Sequence, residues 1–262
     1  MNWPNRAARR LARLFDLELR PRLPAGAACM ARLRELRDRL GELDHGSREF
    51  VQFCLENLAH SHADMFQDLF VLQQTGGKRG GYFVEFGAAD GIAGSNTYSL
   101  EVGFGWTGIL AEPALCWHEA LHRNRRCAVD RRCVTDRTGE TVLFRECVAP
   151  ANSTLDAFAD TYPFDDARRP GYKQYSVETV SLADLLDDHG APADFDYLSL
   201  DTEGSEMLIL AGVDFGRVRP KIISVEHCHS PACAALFDLL TSQGYSRRHA
   251  ALSQWDDWYV RD

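Results

Sequence analysis

The hydrophobic positions of this chain follow two different periods, and the change comes near residue 75. Upstream, apolar residues such as Leu36, Leu40 and Leu43 recur at helical spacing. From Gly81 onward, short apolar runs typical of buried strands alternate with amphipathic stretches typical of helices. The runs predict strands at Tyr82–Phe86, Thr107–Ala111, Cys133–Thr135, Thr141–Phe144, Tyr175–Val180, Tyr197–Leu200, Lys221–Val225, Tyr245–Arg248 and Trp258–Val260.

Helices are predicted between these strands, which makes the chain an α/β protein. They cover Asn96–Val102, Leu115–Arg123, Ser181–Asp188, a short segment after Gly204, and Pro231–Ser242. Such alternation predicts a mostly parallel sheet with helices on both faces and an antiparallel closing pair. We therefore divide the chain into an N-terminal helical extension, residues 1–75, and an α/β domain, residues 76–262. Within that domain, the irregular, polar residues 149–174 predict a lid-like insertion.

Charge is unevenly distributed and narrows the classes of partner. Residues 1–40 hold ten arginines against four acidic residues, a balance of +6, so the rest of this chain of net charge −9 carries −15. An acidic body argues against nucleic-acid binding, and no apolar run is long enough for a transmembrane segment. The basic arm is interpreted as a solvated helix face, with an anionic partner, a membrane surface or a homodimer as alternatives. Eight cysteines without a CxxC pair suit a reducing compartment, so we expect a cytoplasmic protein.

The segment Gly81–Gly94, GYFVEFGAADGIAG, joins a buried strand to a glycine-rich turn, and the polar helix start Ser95-Asn96-Thr97 follows directly. Small residues let a ligand approach the backbone, and a helix N-terminus offers free N–H groups. The combination predicts a cradle for a nucleotide-type ligand.

Four predicted strands end in an acidic residue: Glu85, Glu112, Asp201 and Glu226. Parallel strands end at one edge of the sheet, where ligands bind. Glu112 stands where an acid from the second strand would meet ribose hydroxyls. Such acids can also cap helices or face solvent, but four in equivalent positions favour a ligand site.

Several common nucleotide motifs are missing from the chain. The glycines from Gly87 to Gly94 do not follow GxGxxG, no GK[ST] sequence occurs, and there is no Tyr-x-x-x-Lys pair. A cofactor with a ribose and no pyrophosphate therefore suits this sequence best.

The ordered motifs EFGAADG, SNTYSLE, GWTGILAEP, VETVSL, DYLSLDTEGSE and ISVEH resemble the FkbM family of S-adenosylmethionine-dependent methyltransferases. The similarity runs from about Leu69 to the C-terminus. It implies a class I methyltransferase, Rossmann-like fold with a seven-stranded sheet and an antiparallel last strand. It also implies S-adenosylmethionine as cofactor and O-methylation of a hydroxyl on a sugar or secondary metabolite, either a small molecule or a peptide natural product.

The resemblance also assigns residues to the cofactor. Glu85, Gly87 and Gly91 would hold the methionine portion, and Glu112 would bind the ribose. The full predicted cofactor set is Glu85, Gly87, Ala88, Gly91, Ser95, Asn96, Glu112 and Asp201. Two positions depart from the commonest family form: Glu85 replaces Asp, and Ala89 replaces Asn.

Methyl transfer to a hydroxyl needs in-line positioning and a nearby base. The candidates are Asp201, Glu203, Glu226 and His227, which follow two central strands. Asp201 or His227 is the predicted base, while Glu203 and Glu226 would orient the acceptor or balance the cofactor's charge. A histidine packed at a strand end is the alternative for His227. A divalent metal ion held by the carboxylates is another alternative, which we do not favour.

Two other functions remain as alternatives to a methyltransferase. The sequence His118-Glu119-Ala120-Leu121-His122 matches HExxH and indicates a zinc-dependent hydrolase, although no clear third ligand follows. A non-catalytic binding module of the same fold is the second rival. Other potential zinc ligands are His227, Cys228, His229 and Cys233, but their spacing fits no standard finger. We therefore predict no metal site.

Overall fold

The computed structural model describes residues 40–159, 171–227 and 232–262. Seven strands form its main sheet in the order β3-β2-β1-β8-β9-β11-β10. These strands are β1 (Tyr82–Phe86), β2 (Thr107–Ala111), β3 (Ala128–Asp130), β8 (Asp194–Leu200), β9 (Arg219–Glu226), β10 (Tyr245–Arg248) and β11 (Asp256–Arg261). The pairings among β3, β2, β1, β8 and β9 are parallel. Strand β11 is antiparallel to both β9 and β10. This is the class I methyltransferase topology, and it confirms the predicted closing pair.

Helices cover both faces of this sheet. They are α1 (His45–Asn57), α2 (Gln67–Gln74), α3 (Tyr98–Phe104), α4 (His118–Asn124), α5 (Leu182–Asp188), α6 (Glu206–Ala211) and α7 (Ala232–Ser242). Neighbouring strand residues alternate between two cores, because successive side chains point to opposite faces. Phe83 packs in the core that includes residues of α1–α4, whereas Val84 packs in the core that includes residues of α5–α7.

A second sheet of four strands, in the order β4-β7-β5-β6, was not predicted. Its strands are β4 (Cys133–Thr135), β5 (Thr141–Cys147), β6 (Thr154–Leu155) and β7 (Tyr172–Ser181). The prediction that Cys133–Thr135 is the third strand of the main sheet is therefore wrong. That place belongs to Ala128–Asp130, a three-residue strand too short and too close to arginines to stand out in the sequence.

Part of the insertion predicted at residues 149–174 belongs to this second sheet. It contributes the 3₁₀ turns Pro150–Asn152 and Asp156–Phe158, strand β6, and the first residues of β7. Residues 160–170 lie outside the described part of the chain. A hydrogen bond of 2.9 Å from Thr154 Oγ1 to the Glu203 carbonyl ties the insertion to the loop after β8.

The described residues of the N-terminal extension pack directly on the sheet. Phe50 of α1 and Phe70 of α2 are buried and each contacts the Trp258 ring of β11. The described part of the predicted helical extension holds two α-helices, α1 and α2, and the chain turns before α2 with Phe66 in the left-handed region. The predictions for residues 1–39 lie outside the described chain, and the boundary at residue 75 stays a prediction. No helix within residues 40–159, 171–227 and 232–262 is long and apolar enough to cross a membrane.

Candidate active site

The candidate site lies where β1 and β8 end, the point at which strand order reverses in this sheet. Gly87 follows β1 directly and has φ of +78°. A Cβ atom on Gly87 would lie 1.8 Å from the carbonyl oxygen of Asp201, which follows β8. Only glycine permits this approach, since it lacks the side chain and tolerates the left-handed backbone. Gly87 is exposed, so a ligand can reach its backbone at this edge of the sheet.

Glu85, the last acid of β1, binds the segment that follows the glycine turn. It is buried, and its carboxylate accepts from Asn96 N at 2.7 Å, Ser95 Oγ at 3.0 Å and Thr97 Oγ1 at 2.5 Å. A carboxylate can accept several such bonds, and three of them here fix the turn from both ends. The structure therefore brings together Glu85, Ser95 and Asn96, three of the predicted cofactor-binding residues.

A buried arginine, Arg125, completes this loop and was missed in the sequence. Its guanidinium donates to Gly91 O at 3.2 Å, Ser95 Oγ at 3.0 Å and Thr97 Oγ1 at 2.8 Å. It forms an ion pair of 2.7 Å with Glu101, and its NH1 lies 3.7 Å from Glu85. These contacts hold the glycine turn against α3. A Cβ on Gly91 would meet the Arg125 side chain at 2.8 Å, so Gly91 makes room for it.

Glu112 reaches the glycine turn from the end of the neighbouring strand β2. Its Oε2 accepts from Ala89 N at 3.0 Å, and its Oε1 accepts from Ala114 N at 2.9 Å. The pKa of Glu112 is raised to about 7. Burial is the main cause, and the nearby carboxylates of Asp201 and Glu146 contribute to the same increase. No lysine or arginine of the described residues forms an ion pair with Glu112.

Asp201, Glu203 and Glu226 form an acid trio, the name used below for these three residues. Each offers an oxygen within 4.8 Å of the other two. Burial raises the pKa of Asp201 to about 7, and the charge of Glu206 adds to the increase, while a hydrogen bond with Glu226 opposes it. Glu203 has φ of +60°, an unusual conformation for a residue with a side chain.

Glu206 organises the loop that carries this trio, and it too was not predicted. Its buried carboxylate accepts from Thr202 N at 2.7 Å, Thr202 Oγ1 at 2.9 Å and Gly204 N at 3.1 Å. Three acids within six residues, Asp201 to Glu206, would have indicated the loop only if its turn had been recognised.

His227 is turned away from the trio, although it is the next residue after Glu226. Its Nε2 lies 3.6 Å from Asp257 Oδ1, and its side chain groups with Cys233 and Asp257. The structure therefore brings three of the four predicted catalytic residues together and places the fourth beside α7 and β11.

Two predicted cofactor residues, Ala88 and Asn96, are buried in the wall of the turn. Asn96 Nδ2 donates to Ser199 Oγ at 2.9 Å. Its Oδ1 is buried and has no hydrogen-bond partner among the described residues. A buried polar atom without a partner is costly, so this oxygen is available to a donor from a bound ligand.

S-adenosylmethionine, the cofactor that the resemblance implies, fits the residues present. The backbone of Gly87 is exposed, Glu112 and Asp201 hold raised pKa values, and no described cation pairs with either carboxylate. A sulfonium is a cation, so it would stabilise ionised carboxylates at this edge. The ribose carries hydroxyls that a carboxylate such as Glu112 accepts from.

The HExxH sequence does not form a zinc site in the described residues. His118 Nε2 donates to the Glu112 carbonyl at 2.8 Å, and Arg131 donates to His122 Nε2 at 2.9 Å. Neither histidine belongs to a described group of three potential ligands. Burial lowers the pKa of His118, so it serves as a neutral hydrogen-bond donor to the strand that carries Glu112.

Solved structures with some similarity include the methyltransferase FkbM of Methylobacillus flagellatus KT. It is 17% identical, with a TM-score of 0.47, and the alignment covers 88% of this chain and 58% of that one. The precorrin-6y C5,15-methyltransferase of Geobacter metallireducens GS-15 is 10% identical, with a TM-score of 0.41 and coverage of 74% and 88%. The CurJ carbon methyltransferase is 11% identical, with a TM-score of 0.38 and coverage of 99% and 71%. This chain thus spans little more than half of the first of these proteins.

Among curated proteins, none matches this chain. The model of the methyltransferase FkbM domain matches residues 85–247, a span that begins at the last acid of β1 and ends within β10. This match covers more than half of the chain and includes every predicted site residue. The chain belongs to the FkbM methyltransferase domain family.

Proposed function

We propose that this protein is an S-adenosylmethionine-dependent O-methyltransferase that acts on a hydroxyl of a sugar or secondary metabolite, either a small molecule or a peptide natural product. One observation carries the proposal: the Glu112 carboxylate faces the glycine turn, 3.0 Å from Ala89 N, beside the acid trio. A donor site and an acidic acceptor site therefore lie on the same edge of the sheet.

The donor half of the site consists of the glycine turn and Glu112. Glu112 would accept from the ribose hydroxyls, and the backbone of Gly87 and Gly91 would leave room for the methionine portion. Glu85 would stabilise the turn that surrounds the methionine portion, since its carboxylate already binds Ser95, Asn96 and Thr97. When bound, the cofactor supplies an electrophilic methyl group next to a positively charged sulfur.

The acceptor half consists of the acid trio. Asp201 is the favoured proton acceptor, because a carboxyl with a pKa of about 7 can take a proton at neutral pH and release it again. Glu203 and Glu226 would orient the acceptor hydroxyl. His227 is less suited to this role, since its Nε2 faces Asp257 on the other side of the strand end.

Donor binding is tested by titration calorimetry with S-adenosylmethionine on the protein and two matched variants. Glu112→Gln removes a buried carboxylate at the turn, and a hydrogen bond to a charged group is worth about 1.5–3 kcal/mol. We therefore expect affinity to fall by roughly tenfold or more. Glu119→Gln changes the exposed acid of the HExxH sequence and is expected to bind normally. Equal affinity in all three proteins would contradict the role of Glu112.

Methyl transfer is tested by mass spectrometry of metabolite extracts incubated with protein and cofactor. The expected product is heavier by about 14 dalton, the mass of one added CH₂. Loss of the product in Asp201→Asn, with donor binding retained, would support Asp201 as proton acceptor. A parallel assay with a chelator tests the divalent-metal alternative: a reaction that stops and returns with Mg²⁺ would support it. Donor binding with no product in any extract would support a non-catalytic module.

A further inference from the structure

Three side chains from separate elements meet beneath the C-terminal end of β9. His227 follows β9, Cys233 lies in the first turn of α7, and Asp257 belongs to β11. Their ligand atoms all lie within 4.8 Å of one another. Cys228 and His229 are outside the described residues and take no part in the argument. Imidazole, thiolate and carboxylate are the three ligand types that zinc accepts in proteins.

The distances within this group suit a metal ion with tetrahedral coordination. At typical zinc–nitrogen and zinc–oxygen bond lengths, two ligand atoms of a tetrahedral site lie about 3.4 Å apart. His227 Nε2 and Asp257 Oδ1 are 3.6 Å apart, close to that separation. The two atoms are thus spaced as two ligands of one ion would be.

Asp257 is held in place from three sides, as a metal ligand usually is. It accepts from Ser253 Oγ at 2.8 Å, Arg247 NH1 at 3.0 Å and Tyr259 OH at 3.3 Å. The contact with Arg247 is a salt bridge, which favours the ionised carboxylate. An ionised carboxylate fixed by neighbouring donors is a ligand prepared in advance.

Cys233 is partly buried, and its sulfur lies within 4.8 Å of the ligand atoms of His227 and Asp257. A thiol is not stabilised by a neighbouring carboxylate. A bound metal ion, in contrast, would stabilise both the Cys233 thiolate and the Asp257 carboxylate.

We propose that His227, Cys233 and Asp257 bind one zinc ion, with solvent or a further ligand at the fourth position. The site shares no residue with the acid trio and does not depend on methyl transfer. It would fasten the end of β9 to α7 and β11, and so hold Glu226, the residue before His227, in position. Nitrogen, sulfur and oxygen ligands together favour zinc over magnesium or calcium.

The test uses the full chain, purified without chelator or added metal, and elemental analysis. We expect about one zinc per chain in the wild type and in Cys116→Ser, which changes an exposed cysteine elsewhere. We expect little zinc in Cys233→Ser, a small substitution that removes only the sulfur. His122→Gln is a second control, because it would lose zinc only if the HExxH histidines held the ion.

Cobalt substitution provides a measurement independent of metal content. Cobalt bound at the proposed site would show a thiolate-to-metal charge-transfer band that Cys233→Ser lacks and Cys116→Ser retains. A wild-type protein that holds no zinc even after dialysis against a zinc buffer would overturn the proposal. So would full zinc content in Cys233→Ser, or zinc loss in His122→Gln alone.

Discussion

Gly87 and Asp201 touch through their backbones, with no space for a methyl group between them. The contact joins the end of β1 to the end of β8, the two strands between which the order of the sheet reverses. The donor turn and the acid trio are therefore parts of one rigid edge. A change in either strand end therefore alters the spacing between the proposed donor turn and the acid trio.

Replacing Gly87 by alanine should damage both stability and donor binding. Gly139 offers a matched control. Its φ of +82° is left-handed like that of Gly87, but no atom lies within 4 Å of an added Cβ. Gly139→Ala is expected to lose only the strain of a left-handed alanine, about 1–2 kcal/mol. Gly87→Ala should lose more, since the Cβ also meets the Asp201 carbonyl. Urea denaturation and calorimetry measure the two effects, and equal losses in both variants would show that the close approach does not matter.

Removing the Arg125 guanidinium should loosen the glycine turn. Arg125→Met leaves the Glu101 and Glu85 carboxylates without their buried partner, a change that typically costs about 3–5 kcal/mol. Arg126→Met, an exposed neighbour, is the control and should cost little. Adding Glu101→Gln to Arg125→Met should recover part of the stability, because it removes one unpaired charge. Thermal denaturation of the four proteins checks this order, and no recovery in the double variant would contradict the pairing.

The stability of the protein should depend on pH through Asp201. The folded state holds the Asp201 proton more tightly than the unfolded chain, with a pKa of about 7 against 3.8. Its contribution to stability is complete below the lower value and is lost as pH rises through the higher one. Asparagine does not ionise, so Asp201→Asn should gain stability relative to wild type as the pH rises from about 4 to about 7. Urea titrations of both proteins measure the difference, and a constant difference across this range would rule out the raised pKa.

Replacing Thr154 by valine tests the contact between the insertion and the acid trio. Valine keeps the shape but removes the hydroxyl that donates to the Glu203 carbonyl, at a cost of about 1 kcal/mol. We expect a weaker turnover or a higher acceptor KM with unchanged affinity for the cofactor. Thr141→Val, at an exposed position of the same sheet, is the control. A loss of cofactor affinity in Thr154→Val would place the insertion in the donor half instead.

Strands with strong apolar runs were predicted well from the sequence. The bounds of β1 and β2 agree with the predictions residue by residue. The helix predicted at Ser181–Asp188 agrees with α5 within one residue, and Ser181 caps it by accepting from Asp184 N at 3.2 Å. In each case the signal is local: a run of apolar side chains, or a serine three residues before a partner, which neighbours in sequence suffice to define.

The unpredicted features depend on contacts between residues far apart in sequence. Arg125 lies among His122, Arg123 and Arg126, a basic run typical of an exposed helix end. It is buried only because Glu101, 24 residues earlier, and the glycine turn close over it. The second sheet was missed for the same reason, since β4 pairs with β7 across more than forty residues. His227 was grouped with Glu226 because they are adjacent, although in the structure His227 lies with Cys233 and Asp257.

The bond from Thr154 to the Glu203 carbonyl supports a residue in a costly conformation. A left-handed glutamate persists only where its surroundings hold it, and here one of the supports comes from an insertion outside the main sheet. Under the proposed function, sequence changes in the insertion that alter this bond would change how the acceptor is held at the acid trio, while the turn built from residues 85–125 is unaffected. Exchange of this one loop would then change the acceptor of the same scaffold.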